Sequence, residues 1–245
     1  MEENSSHRYC PKCDLIVDST VQFCGHCGSD THEHTPNDPH IGEVVAGRYR
    51  IKKPLARGGM AKIYVAEHEM LAHKVAVKLL HPYYASDGDI VARFFNEARS
   101  MCRINHPHVV SVLDFGRLKD GTLYLVTEFI KGVTLYEFIS DAGALSEQSA
   151  TRLSRQIAEA LVCAHEAQII HRDLKPENVM ITKGAVERHS AKLLDFGIAK
   201  RLDDATGKHI TESGVVFGTP AFMSPEQAQG LPLGTPTDIY SFGAL

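Results

Sequence analysis

Two short segments hold the residues best suited to chemistry in this 245-residue chain. Residues 171–178 read His-Arg-Asp-Leu-Lys-Pro-Glu-Asn, and residues 195–197 read Asp-Phe-Gly. Together they supply carboxylates, an amide and a lysine, and carboxylate and amide oxygens are ligands that suit Mg²⁺. Such a set can hold the metal and a nucleotide phosphate beside a substrate hydroxyl. We therefore interpret Asp173, Asn178 and Asp195 as working residues rather than purely structural ones.

The elements that must position these segments are predicted by the patterning of apolar residues. Strands are expected at 49–55, 63–67, 74–80, 109–115 and 123–127, with a turn at Asp120-Gly121. An amphipathic helix is expected at 89–104, and Thr134 with Glu137 forms a capping box that starts a second helix. A third helix has the buried stripe Leu153, Ile157, Leu161 and Ala164. Strands followed by helices indicate an α+β class with two lobes.

Four of the six cysteines form two Cys-x₂-Cys pairs near the start of the chain: Cys10, Cys13, Cys24 and Cys27. Four thiolates can surround Zn²⁺ tetrahedrally, and the segment resembles a zinc ribbon over residues 7–29. Its core is too small to fold alone, so structural zinc is the favoured interpretation. Two disulfides, a redox pair or another metal are the alternatives. Residues 30–47 are predicted to be a solvated linker. Cys102 and Cys163 fall on apolar helical faces and are expected to be buried.

From residue 48 onward the chain resembles the eukaryotic-like (Hanks-type) serine/threonine protein kinases of bacteria. The resemblance rests on Val75-Ala76-Val77-Lys78, on residues 171–178, on Asp195-Phe196-Gly197 and on Gly218-Thr219-Pro220. It implies a bilobal protein-kinase fold with a β-rich N-lobe at 48–130 and a partial, helical C-lobe at 131–245. The chain ends where the family has a central helix, so the resemblance indicates a truncated C-terminal lobe.

The resemblance also implies an ATP site. Lys78 would reach the α- and β-phosphates and would be held by Glu97. Backbone of the lobe connector at Glu128 and Ile130 would bind adenine. A phosphate-covering loop would be formed by Ala56, Gly58, Gly59, Ala61 and Ile63, with alanines where the family has its outer glycines.

Catalytic roles follow from the same resemblance. Asp173 would orient the substrate hydroxyl and accept its proton, and Lys175 would offset charge on the transferred phosphoryl group. Asn178 and Asp195 would hold Mg²⁺, or Mn²⁺ in its place. Lys175 and Thr219 favour serine or threonine in protein substrates over tyrosine.

Regulation is expected in the segment between Asp195 and Glu226. Thr211 and Ser213 match positions that are phosphorylated in bacterial relatives, and Arg172 would pair with the phosphate. Self-association would allow one copy to phosphorylate another.

The net charge of −4 offers no basic surface, and residues 1–40 alone carry a balance of −5 from two basic and seven acidic residues. Nucleic acid is therefore not an expected partner. No membrane segment or signal peptide is evident, which predicts a cytoplasmic location. Three other functions stay open: a weak or inactive nucleotide-binding scaffold, a ribbon that binds a protein or nucleic acid, and a small-molecule phosphotransferase.

Overall fold

A small antiparallel sheet lies near the start of the chain, in a computed structural model that describes residues 7–9, 16–18, 22–23, 32–33, 38–58, 61–183, 189–196 and 220–245. It consists of β1 (His7–Tyr9), β2 (Ile16–Asp18) and β3 (His32–Glu33) in the order β2-β1-β3. Tyr9 pairs with Ile16, so the first cysteine pair falls between two paired strands. All four clustered cysteines lie outside the described residues, and their zinc site stays a prediction.

The first lobe is built on one six-stranded antiparallel sheet with the order β4-β5-β6-β7-β9-β8. The expected strands are confirmed, with ends shifted by one to three residues in most cases. At the Asp120-Gly121 turn, Gly121 has a φ of +96°, a conformation that glycine adopts without strain. The strands are β4 (Val44–Val45), β5 (Tyr49–Arg57), β6 (Ala61–His68), β7 (Lys74–Leu80), β8 (Val112–Arg117) and β9 (Leu123–Glu128).

Helix α1 (Gly88–Met101) covers one face of this sheet through Ile90, Phe94, Ala98 and Met101. Asp87 caps its start by accepting hydrogen bonds from two backbone amides. The helix ends three residues earlier than expected, and the prediction for Cys102 is wrong. That residue is exposed because it follows the last helical residue, where the chain turns away from the buried stripe. Cys163 is partly buried against the core.

The second lobe contains α2 (Leu135–Ala142), α3 (Glu147–Glu166), α4 (Pro225–Ala228) and α5 (Thr235–Ala244). Both halves of the Thr134–Glu137 capping box are present, and the predicted stripe of α3 is buried. A second sheet of β10 (Val133–Thr134), β11 (Val179–Lys183) and β12 (His189–Leu193) lies beside these helices. Among the described helices, none is long and apolar enough to cross a bilayer.

One expected strand is divided between the lobes. The strand predicted at 109–115 begins only at Val112, while Val109 forms a parallel bridge with Leu193 at the end of β12. The Val110 amide donates to the Leu193 carbonyl at 2.9 Å, and the Leu193 amide donates to the His108 carbonyl at 2.8 Å. Apolar patterning detects burial but not the pairing partner, which here belongs to the other lobe.

Candidate functional site

The predicted catalytic residues meet in one short loop ahead of β11. Asn178 Nδ2 donates to the Asp173 carboxylate at 2.9 Å and to the Asp173 carbonyl at 2.7 Å. Lys175 Nζ lies 3.1 Å from Asp173 Oδ2. A 3₁₀ turn at Pro176–Asn178 brings the lysine and the amide to the same side as Asp173. Because the side-chain nitrogen of Asn178 makes both of these hydrogen bonds, its side-chain oxygen can accept a further hydrogen bond or bind a metal ion.

Asp195 approaches this loop from the end of β12 and is contacted from the first lobe. Lys78 Nζ, on β7, lies 2.9 Å from Asp195 Oδ1. The backbone of Asp195 is left-handed, with a φ of +42°, an uncommon conformation that is concentrated at functional sites. Glu97 is half-buried on α1. Its pairing with Lys78 stays a prediction, whereas the contact between Lys78 and Asp195 was not foreseen.

The donor set fits a hard divalent cation. The Leu194 amide donates to the Asn178 carbonyl at 2.9 Å, so the amide of Asn178 and the carboxylate of Asp195 belong to adjoining stretches of backbone. Among the described residues, no group of three or more His, Cys, Asp and Glu side chains could bind a metal alone. The Asp195 carboxylate and the Asn178 amide oxygen match Mg²⁺, which is usually held by one or two carboxylates together with water and substrate phosphate.

The predicted phosphate-covering loop runs from the end of β5 to the start of β6. The Gly58 amide donates to the Ala61 carbonyl at 2.9 Å, which closes the turn. Ala56 is exposed and Ala61 is buried, and Gly59 lies outside the described residues. Ile63 pairs with Lys78 across β6 and β7, so the strand that leaves the loop adjoins the lysine expected to bind phosphate.

The buried carboxylate of Asp238, on α5, holds the backbone of the catalytic loop. Its two oxygens accept hydrogen bonds at 2.8 Å from the amides of His171 and Arg172. His165 Nε2 donates to the same carboxylate at 2.8 Å. Arg172 has a left-handed φ of +66°, which such bonds stabilise.

His171 is a fully buried neutral side chain. Its Nε2 donates to the Leu194 carbonyl at 2.8 Å, its Nδ1 faces the Asp173 amide at 3.3 Å, and its ring packs on Phe196. Burial lowers the pKa of His171, and the nearby Asp238 carboxylate only partly opposes this effect. The histidine thus links the catalytic loop to the segment that carries Asp195.

Glu128, at the end of β9, has a side chain that joins the lobes. Its carboxylate accepts from Lys192 Nζ at 2.6 Å and from the Ser111 amide at 2.7 Å. Burial alone would raise the pKa of Glu128, but these hydrogen bonds and the Lys192 charge hold it below its ordinary value. Lys192 lies three residues before Asp195. Ile130, the other connector residue, is half-buried.

The end of the expected regulatory segment is anchored beside the catalytic loop. Gln227 Nε2 donates to the Arg172 carbonyl at 2.7 Å, and Thr237 Oγ1 donates to Glu226 at 2.7 Å. The bond from Thr237 lowers the pKa of Glu226. The predicted regulatory positions Thr211, Ser213 and Thr219 lie outside the described residues.

Sequence reasoning missed the side chains of Lys192 and His165 and the backbone amide of Ser111, whose partners lie 17 to 73 residues away along the chain. No local signal identifies them, since a lone lysine or histidine usually reads as a solvated surface residue. The nearest signal was the position of His165, which directly follows Ala164 of the α3 stripe, because a partly enclosed imidazole needs a polar partner.

A family model described as the protein kinase domain matches residues 49–245. The chain is 41% identical over 213 residues to the serine/threonine-protein kinase pkn3 of Myxococcus xanthus, covering 86% of this chain and 39% of that protein. It is 39% identical over 203 residues to PrkC of Bacillus subtilis, covering 83% of this chain and 30% of that protein. The chain thus spans less than half the length of these curated relatives.

Among solved structures, the PknI kinase domain of Mycobacterium tuberculosis matches with a TM-score of 0.64 and 26% identity. The match covers 82% of this chain and 71% of that one. The two-lobed arrangement described above is therefore shared with a solved relative.

Proposed function

The chain belongs to the protein kinase family, and we propose that it is an ATP- and Mg²⁺-dependent enzyme that phosphorylates serine or threonine in protein substrates. The observation that carries the proposal is the convergence of Asp173, Lys175 and Asn178 in one loop, with Lys78 reaching Asp195 from the opposite lobe. Scaffolds that only bind nucleotide have no need of the Asp173 cluster. Curated relatives carry serine/threonine-protein kinase names, which supports the substrate class.

Each side chain has a distinct task in this proposal. Bound Mg²⁺–ATP would supply the γ-phosphoryl group and neutralise part of its charge. The Asp173 carboxylate orients the substrate hydroxyl and accepts its proton, while Lys175, 3.1 Å away, offsets negative charge. Asn178 is oriented by its two bonds to Asp173, so that its oxygen can ligate the metal together with Asp195. Lys78 would exchange part of its contact with Asp195 for the phosphates.

Activation is proposed to occur by phosphorylation of Thr211 or Ser213 by a second copy. A phosphate adds about −1.5 to −2 units of charge and can order a segment by pairing with arginine. Arg172 is suited to receive it because both its amide and its carbonyl are fixed, by Asp238 and Gln227. The cytoplasm is the proposed location.

The cysteine segment is proposed to bind one structural zinc ion and to serve as a protein-interaction module. Support comes from the spacing of Cys10, Cys13, Cys24 and Cys27 and from the strands β1 and β2 on either side of the first pair. The acidic charge of residues 1–40 argues against nucleic acid as its partner.

The test is incubation of the purified chain with radiolabelled ATP and Mg²⁺, followed by mapping of the incorporated phosphate. Asp173→Asn is the matched control, because it removes the proton acceptor and keeps the size of the side chain. We expect label on Thr211 or Ser213 in the unchanged chain and none in the control. A folded chain that binds ATP but gains no label, even on an added serine or threonine protein substrate, would support the scaffold instead.

A further inference from the structure

Residues 38–48, which directly precede the matched kinase domain, pack against the first lobe. Asp38 lies eleven residues after Cys27 and eleven before residue 49, where the family match begins. From Asp38 onward, the chain passes over the sheet to β4, whose Val45 is completely buried. The Gly42 amide donates to the Ile51 carbonyl and the Ile51 amide donates to the Glu43 carbonyl, both at 2.9 Å.

Asp38 makes side-chain contacts with one strand of the lobe, β6. Its Oδ2 accepts from Tyr64 Oη at 2.9 Å and lies 3.3 Å from Lys62 Nζ, while its Oδ1 accepts from the His40 amide at 3.1 Å. The Asp38 side chain is only 16% exposed. Burial would raise the pKa of Asp38, but its bonds to His40 and Tyr64 and the Lys62 charge hold it below its ordinary value. The carboxylate is therefore charged when it holds the strand.

The strand that Asp38 holds is the one that leaves the phosphate-covering loop. Lys62 directly follows Ala61, whose carbonyl closes the loop turn. Because side chains alternate along a strand, Lys62 and the buried Tyr64 share one face of β6 while Ile63 faces the opposite side. Ile63 is the residue paired with Lys78. A displacement of Lys62 would therefore shift the loop and the strand beside the phosphate-binding lysine.

We propose that Asp38 is a positioning residue for nucleotide binding, which fixes the exit strand of the phosphate-covering loop through Lys62 and Tyr64. This inference rests on the proposed function, since it assigns a nucleotide to the loop. Asp38 itself precedes the family match, which begins at residue 49.

The experiment compares Asp38→Asn with Glu67→Gln in the full chain. Asp38→Asn removes the charge and keeps the shape. Glu67 lies on the same strand but at the end away from the loop, where it pairs with Lys52 at 3.2 Å in an exposed position. Two quantities are measured: the Kd of a fluorescent ATP analogue with Mg²⁺, and the rate of amide hydrogen exchange in residues 58–64.

Asp38→Asn should weaken binding of the analogue by about three- to tenfold, as expected from losing part of one charged contact. It should also speed exchange in residues 58–64, and Glu67→Gln should change neither quantity. Lys62→Met should reproduce both effects, and combining it with Asp38→Asn should add little, because the two residues act through one contact. Unchanged exchange in Asp38→Asn, or equal changes in Asp38→Asn and Glu67→Gln, would overturn the inference.

The two proposals fail in different ways. Neither nucleotide binding nor hydrogen exchange requires phosphoryl transfer, so a chain that transfers no phosphate still tests the role of Asp38. If the unchanged chain bound no nucleotide, a role in nucleotide binding would be refuted directly. Asp38→Glu retains the charge, so its affinity for the analogue should be closer to that of the unchanged chain than the affinity of Asp38→Asn is. A general loss of stability would not produce this difference between the two variants.

Discussion

Replacing Asp238 by asparagine or alanine should destabilise the catalytic loop without removing any group expected to touch substrate or nucleotide. The carboxylate is 1% exposed and accepts from the backbone amides of His171 and Arg172 and from His165. A buried donor left without an acceptor costs about 1–3 kcal/mol. Asp238→Asn can still accept at one oxygen but turns a donor toward the other amide.

The expected loss of unfolding free energy is therefore about 1–2 kcal/mol for Asp238→Asn and about 2–4 kcal/mol for Asp238→Ala, which strands both amides. Arg172 also loses the bond that offsets its left-handed backbone, a conformation that costs on the order of 1–3 kcal/mol. The loop should then relax and shift Asp173. A displacement of about 1 Å can reduce the rate by roughly a hundredfold, so kcat should fall more than the KM for ATP rises.

Urea unfolding followed by circular dichroism would measure the stability, because the chain has no tryptophan to report fluorescence. Phosphoryl transfer would be measured at a temperature where each variant is folded. Asp141→Asn is the control, since Asp141 is exposed on α2 and its change should stay within about 0.5 kcal/mol. If Asp238→Asn matched this control in stability and kept its kcat, the anchoring role of Asp238 would be refuted.

Three other predictions concern the ion pair between the lobes, the buried His171 and the cysteine segment. A double-mutant cycle with Glu128→Gln and Lys192→Met should give a coupling energy of about 1 kcal/mol, because both side chains are mostly buried and form one ion pair. Unfolding free energy should fall as the pH drops below the ordinary value of 6.5 for histidine. The reason is that the unfolded chain then binds a proton that the buried His171 does not bind. His171→Gln should therefore reduce the slope of unfolding free energy against pH by up to the contribution of one proton. Chelation of zinc should release one ion per chain and unfold the cysteine segment while the kinase domain keeps its unfolding transition.

Each of these predictions has a matched control. The exposed pair Lys52–Glu67 should show a coupling below about 0.5 kcal/mol, and equal values for both cycles would contradict the importance of the Glu128 contact. Identical pH slopes with and without His171→Gln would mean that other histidines carry the effect. Cys163→Ser should retain the zinc, and a chain that contains no zinc when expressed with the metal supplied would refute the ribbon.

The first lobe was largely predictable because its strands are apolar runs bounded by turn residues. Lys74–Leu80 appears with the expected bounds, since charged or turn-forming residues stop the pattern at both ends. The strand predicted at 109–115 was only partly right, because Val109 is as apolar as a strand residue yet pairs with the other lobe. Periodicity reports which residues avoid water, and it cannot choose among partners that are equally apolar.

The candidate site was predictable where a motif fixes several residues at once. Asp173, Lys175 and Asn178 lie within six residues of one another, so their meeting needs only local turn geometry. The contacts of Asp38, Lys192 and His165 join residues 24 to 73 positions apart, and each depends on how two elements pack. Lys78 was assigned Glu97 as its partner by resemblance, and the contact found with Asp195 arises from the arrangement of the lobes.

The bridge between Val109 and Leu193 has a consequence for the order in which a newly made chain can fold. His108 is contacted by a residue 83 positions later in the chain, so the ribosome must make that stretch before the edge of the first lobe is paired. At synthesis rates of about 5–20 residues per second, this delay is roughly 4–17 seconds. During that interval the backbone around Val109 is open to other strands. Chaperones that shield apolar segments should therefore bind nascent chains that end between residues 130 and 190 more than longer ones.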